Sequence, residues 1–187
     1  MMPRSHSTDE QLALRVQRGE LDAVSILYER WKQGLYRFCF RMVLDASAAE
    51  DIIHDAFVML IARREQVQSP AALRSWMYAV VRNGALAWLQ RTKRNRPLTD
   101  DDDEVMDESS LPMMLETEER SEQITALLDA LLPQYKEVLL LREYEGMEYE
   151  QIAIVTGSSV SAVKSRLFKA RKALMLRMEP LRKGNDL

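Results

Sequence analysis

Covalent or metal-assisted chemistry needs nucleophiles, bases and ligands within reach of one another, and this sequence supplies few. Cys39 is its one cysteine, and His6 and His54 are its two histidines. An intramolecular disulfide is therefore impossible, and no Cys-His pair or metal-ligand spacing is evident. The densest carboxylates fall in the run TDDDDEVMDESSLPMMLETEE, which begins at Thr99 and offers no placed partner for acid–base work. We expect no catalytic residue, no metal site and no cofactor. What the residue types do suit is nucleic acid. Near the C-terminus Ser161, Lys164, Ser165, Phe168 and Lys172 share one side of a helical wheel, flanked by Lys169 and Arg171. Opposite them Val160, Val163, Leu167, Ala170 and Leu174 form an apolar stripe at spacings of 3 and 4. A helix so divided buries one side and presents hydrogen-bond donors to base edges and phosphates on the other.

The elements that must position this face follow from local signals. Of 187 residues, 47% are hydrophobic and 29% charged, the balance of a chain that buries a core. Leu and Ala greatly outnumber Val, Ile and Thr, and there are six Gly and six Pro, so propensity favours helix and an all-α fold is expected. Before the basic helix the order is a short helix at about 148–155, the stretch Thr156 to Ser159 with Gly157, and a longer helix at about 160–178. That is the outline of a helix-turn-helix. Ala153 falls where the helices cross, Gly157 where a turn needs positive φ, and Val163 where an apolar anchor belongs. Two further helices are expected upstream, at about 119–131 and 134–145, separated by Pro133.

In the N-terminal half, Thr8 with Gln11 and Ser47 with Glu50 have capping-box spacing, and Ser69-Pro70 offers a cap followed by proline. These signals, with breaks at Gly19 and Asp45 to Ser47, predict helices at about 9–18, 21–43, 48–66 and 70–94. In the last, Leu73, Met77, Val80, Gly84 and Trp88 should face the core and Arg82 and Lys93 should point outward.

Charge is unevenly spread. Residues 1–98 carry 15 basic and 10 acidic side chains, residues 99–122 carry 1 and 11, and residues 123–187 carry 10 and 8. A like-charged run containing Pro112 reads as a flexible linker, which divides the chain into a first domain at 1–98, an acidic linker at 99–118 and a second domain at 119–187. The weak net charge of −3 thus conceals two basic ends, each a plausible nucleic-acid surface. The longest apolar run, Ala56 to Ala62, falls far short of the roughly 20 residues that span a bilayer. With no signal-peptide pattern at the start, a cytoplasmic protein without membrane insertion is expected.

Three segments, AEDIIHDAFVMLIARRE from Ala49, LRSWMYAVVRNGA from Leu73 and YEQIAIVTGSSVSAVKSRLFKARKAL from Tyr149, together resemble the extracytoplasmic-function (ECF) group of bacterial sigma factors, in the family's order and with its linker. The resemblance implies a sigma region 2 domain that binds core RNA polymerase, at the clamp of its largest subunit, and melts the minus-ten promoter element. It also implies a sigma region 4 domain that reads the minus-thirty-five element through the face holding Ser161, Lys164, Ser165, Phe168, Lys169 and Arg171. Carried over by position, Asp51, Asp55 and Phe57 contact the polymerase, while Trp76 and Asn83 hold an extruded minus-ten base. Arg82, Arg91, Lys93, Arg94 and Arg96 serve the phosphates. The sequence departs from the family at His54, where Gln is usual, and at Ala79, where many relatives carry Arg. Cys39 reads as core.

The family resemblance extends the charge of the linker to mimicry of nucleic acid in a basic channel and implies an anti-sigma factor as a partner; a net charge near zero predicts that the free protein binds promoter DNA weakly, and two domains with partners of other kinds predict a monomer. Two alternatives stand beside this reading. A stand-alone helix-turn-helix regulator would not need the Asp51, Asp55 and Phe57 surface, and a decoy for an anti-sigma factor would not need the basic face of the last helix.

Overall fold

The computed structural model describes residues 7–66, 69–95 and 126–183. The expected acidic linker, with Arg96, lies outside them, as do the side chains of Lys93 and Arg94. Every regular element among the described residues is helical.

Helix α1 (Asp9–Gln17) begins as its capping box predicts. The Thr8 hydroxyl accepts from the Gln11 N–H at 3.2 Å, and the Gln11 side chain accepts from the Thr8 N–H at 2.9 Å. It is tied to α2 (Leu21–Val43) by Asp9, which accepts from Trp31 Nε1 at 3.0 Å and pairs with Arg30. The chain leaves α2 through Leu44 in the left-handed region, φ 56°, so Asp45 is already extended. Asp45, rather than Ser47, caps α3 (Ala46–Ala62), accepting from the Ala48 N–H at 2.8 Å. The expected Ser47–Glu50 box therefore does not form. The helix also stops four residues earlier than expected, giving way to a 3-10 turn over Arg64–Gln66.

Ser69-Pro70 opens a second 3-10 turn, Pro70–Ala72, in which the Ser69 side chain makes no capping bond. The turn leads into α4 (Leu73–Asn95). Leu73 and Met77 are buried as expected, whereas Val80, Gly84 and Trp88 are only partly covered. Tyr78, Val81 and Ala85, on the neighbouring flank, are buried instead. The shift has a physical cause, because α4 is sandwiched between its own domain and the second one.

The second domain starts among the described residues with a helical turn at 126–129. Pro133 does not interrupt but begins α5 (Pro133–Leu139), since proline costs nothing in a first turn. The expected continuation to 145 is there, but as a π-helical turn, Leu140–Tyr144, closed by Gly146 at φ 64°. Next come α6 (Tyr149–Thr156) and α7 (Val160–Lys183). Helix α6 packs on α4 of the first domain as well as on α7, so the buried side chains of both domains form one continuous cluster.

Candidate nucleic-acid interface

The helix-turn-helix is assembled as its sequence anticipates. Gly157 takes φ 61° at the end of α6, a conformation that strains any residue carrying a Cβ. Its neighbours seal the turn: the Thr156 hydroxyl donates to the Ile152 carbonyl at 2.8 Å and lies 2.7 Å from the Ser158 hydroxyl. The Ser159 hydroxyl accepts from the Ala162 N–H at 3.1 Å, starting α7. Val163, Leu167 and Ala170 are fully buried, with Val160 and Leu174 partly so.

The opposite side of α7 is open. Ser161, Lys164, Ser165, Phe168, Lys169, Arg171 and Lys172 are all exposed, Phe168 at 69%. An aromatic ring so placed is mostly uncovered and is accessible to a partner. Arg171 is held by Glu143 at 2.7 Å, which raises its pKa through the side-chain hydrogen bond. The Lys164 ammonium stands 5.8 Å from the Tyr149 ring centroid.

On the first domain the residues expected to meet the polymerase separate into two kinds. Asp51, His54 and Asp55 are exposed on one side of α3, but Phe57 is 6% exposed and sits edge-on to Tyr28, with ring centroids 5.0 Å apart. Phe57 therefore belongs to the core and supports the α3 surface from beneath. The apolar groups that the surface does present are Val58 and Ile61. The 3.6-residue period from Asp51 and His54 could have found them. Cys39 is 0% exposed, and burial pushes its thiol up to about 12.

Along α4, Asn83 and Arg91 are exposed and Trp76 is partly buried against the core. Arg82 does not point outward into solvent. Its Nε and Nη2 donate to the Glu137 carboxylate at 2.6 and 3.1 Å, across the boundary between domains. A second carboxylate, Glu145, meets the same helix: the Tyr78 hydroxyl donates to it, Arg74 lies 3.5 Å away and Arg37 of α2 3.8 Å. Arg74 also donates to the Glu145 carbonyl at 3.0 Å, and the Arg41 guanidinium lies 5.0 Å from the Tyr144 ring centroid. Burial first, then the bond to Glu145, raises the Tyr78 pKa. Sequence reasoning named neither carboxylate. One signal was available, a glycine in the interior of α2: a Cβ on Gly34 would stand 2.7 Å from the Tyr78 hydroxyl and 2.8 Å from the Glu145 carboxylate.

Two helical domains, the second carrying a helix-turn-helix with an exposed basic face, define a class of protein, and comparison with known proteins places the chain within it. Residues 27–95 match the family described as Sigma-70 region 2 and residues 121–174 that described as Sigma-70, region 4. The RNA polymerase sigma-H factor of Pseudomonas aeruginosa is 31% identical over 183 residues, covering 92% of this chain and 95% of that protein. The ECF RNA polymerase sigma-E factor of Escherichia coli is 28% identical, covering 93% and 96%. Among solved structures, that of CnrH in complex with the cytosolic domain of CnrY shares the fold, with a TM-score of 0.69 at 22% identity over 92% of this chain and 97% of that one. So does the sigma factor RpoE of Bartonella quintana, solved with the anti-sigma factor NepR, with a TM-score of 0.58 at 21% identity over 82% and 98%.

The chain belongs to the sigma-70 family of RNA polymerase sigma factors, in its ECF group. Its function is accordingly promoter-specific transcription initiation, the task of an initiation factor rather than of an enzyme.

Proposed function

We propose that the first domain binds core RNA polymerase through the outer side of α3, with Asp51, His54 and Asp55 beside Val58 and Ile61. It then reads the minus-ten element along α4, where Trp76 and Asn83 hold a base while Arg82, Arg91, Lys93 and Arg94 serve the phosphates. The second domain reads the minus-thirty-five element with the exposed side of α7: Ser161, Lys164, Ser165, Phe168, Lys169 and Arg171. The observation that carries this reading is the division of α7. Its buried stripe anchors a helix-turn-helix while a solvent-facing aromatic, Phe168, and the exposed cations Lys164, Lys169, Arg171 and Lys172 stand opposite.

On this reading the protein acts in the cytoplasm, is monomeric when free, spans 1–98 and 119–187 as its two working domains, and has an anti-sigma factor as a partner. Among the described residues no helix is long and apolar enough to cross a membrane. Run-off transcription with purified core polymerase on a genomic fragment library tests the assignment. Discrete new transcripts, lost in Asp51→Ala/Asp55→Ala, are expected; failure of the protein to bind core polymerase would overturn it and favour a stand-alone regulator.

A further inference from the structure

Lys164 and Arg171 stand on the same exposed side of α7, but they are held by different means. Arg171 is tied to the Glu143 carboxylate at 2.7 Å, so an anion already opposes its charge. Lys164 rests instead against a ring: its ammonium lies 5.8 Å from the centroid of Tyr149, the first residue of α6. The Arg142 guanidinium lies 5.0 Å from the same centroid, and is itself fixed by the Met147 carbonyl at 2.7 Å and the Glu148 carboxylate at 3.0 Å. Tyr149 is half-buried and packs against the core, so its ring is a fixed surface. It forms one wall of an open groove whose other wall is α7, through Lys164, Phe168 and Arg171.

A carboxylate and a ring face act differently on a cation. A carboxylate neutralises the charge and must be displaced or shared when a phosphate arrives. The face of a phenol attracts an ammonium electrostatically but carries no net charge, and at an exposed site the attraction amounts to about two- to fivefold in an equilibrium. It restrains the flexible stem of a lysine and leaves the charge unopposed. An ammonium has three donors, so one side can rest on the ring while another meets an oxygen.

We propose that Tyr149 is a positioning residue for the DNA-reading side of α7: the face of its ring holds the Lys164 ammonium in place for a DNA phosphate. The inference rests on the reading of α7 as the helix that meets the minus-thirty-five element, and adds to it a residue of α6 to which the sequence gave no role.

Phosphate contacts are insensitive to sequence, so the probe is a fluorescein-labelled 30-base-pair DNA duplex of mixed sequence, titrated with the full chain at low salt. Lys164→Ala gives the reference loss. Tyr149→Phe keeps the ring and Tyr149→Leu removes it. Because a half-buried ring also packs, a second series holds its shape nearly constant: Tyr149→Phe with one, two or three fluorines on the ring, which withdraw electron density from its face in steps.

Tyr149→Phe should bind the duplex within about twofold of wild type, and Tyr149→Leu should bind about two- to fivefold more weakly. Fluorination should weaken binding stepwise while the melting temperature stays constant. In a Lys164→Ala background, neither Tyr149→Leu nor fluorination should weaken binding further. Fluorinated rings that bind as well as the plain phenylalanine would overturn the role of the ring face. Equal losses with and without Lys164 would overturn action through that side chain. Lys164→Ala binding as tightly as wild type would instead overturn the reading of α7 itself, and this inference with it.

Discussion

The Arg82 guanidinium and the Glu137 carboxylate meet at 2.6 Å across the domain boundary, with Arg166 of α7 on the far side of Glu137 at 3.8 Å. A carboxylate buried to this degree depends on its partner, because removing one member of such a pair leaves an uncompensated charge. The link therefore connects α4 and α7 through one side chain.

A double-mutant cycle measures it. Arg82→Ala strands Glu137 unless the domains part to hydrate it, so the single variant should lose stability and interdomain contact together. With Glu137→Gln as the second corner, the coupling energy in urea denaturation should be about 0.5–3 kcal/mol, the range for contacting groups in one network. Additive effects within about 0.5 kcal/mol would show that the pair contributes nothing.

Phe57 and Val58 are adjacent in sequence but do different work. Truncating the buried ring in Phe57→Ala should cost about 3–5 kcal/mol, so any loss of polymerase binding would follow from unfolding. Val58 is exposed, and Val58→Asp should stay within about 0.5 kcal/mol of wild type while weakening binding to core polymerase. Thermal melting and co-elution with core polymerase on gel filtration separate the two cases, and undiminished binding by Val58→Asp would remove α3's apolar groups from the interface.

These two residues also show what the sequence could and could not disclose. The helices, the turn at Gly157 and the two faces of α7 were legible because each is written locally, in caps, a glycine and a 3.6-residue period. The burial of Phe57 was not legible because a motif match names a position without saying which way it faces. The flank of α4 that carries Arg74, Tyr78 and Arg82 was unreadable for a different reason. Its partners, Glu137 and Glu145, lie more than fifty residues away, and no local period encodes a contact between domains. Asp45 displaced Ser47 as a cap because Leu44 turned left-handed one residue before, a conformation that sequence rarely signals in a non-glycine residue.

Cys39 makes the fold sensitive to alkali. Its thiol is raised from an ordinary value of 9.0 to about 12 by burial, so the folded state holds a proton that the unfolded state releases. Such a group contributes stability in full below about 9, and that contribution is lost as the pH rises toward 12. Tyr78, also raised from its ordinary 10.0, adds to the loss in the same direction. Urea midpoints should be flat with respect to these groups from pH 7 to 8 and fall above pH 9, less steeply in Cys39→Ala. An identical decline in that variant would assign the effect elsewhere. The native thiol should also resist iodoacetamide at pH 8 and react on unfolding.

Helix α7 gives the most direct test of the proposed reading of the minus-thirty-five element. Phe168, Lys164 and Ser165 are exposed, so alanine at each should leave stability within about 0.5 kcal/mol of wild type. Their effects on promoter binding by the holoenzyme should differ in kind. Lys164→Ala, if it removes a phosphate contact, should weaken binding to all promoter sequences alike and make the plot of log K against log salt shallower by about 0.9. Phe168→Ala and Ser165→Ala should leave the salt slope unchanged but reduce discrimination at one or two positions of the minus-thirty-five element, by about 1–3 kcal/mol for a lost base contact. Filter binding at several salt concentrations, with wild-type and singly substituted minus-thirty-five sequences, reads both quantities. A parallel loss across all sequences for Phe168→Ala, with no change in discrimination, would place its ring against another protein rather than against a base.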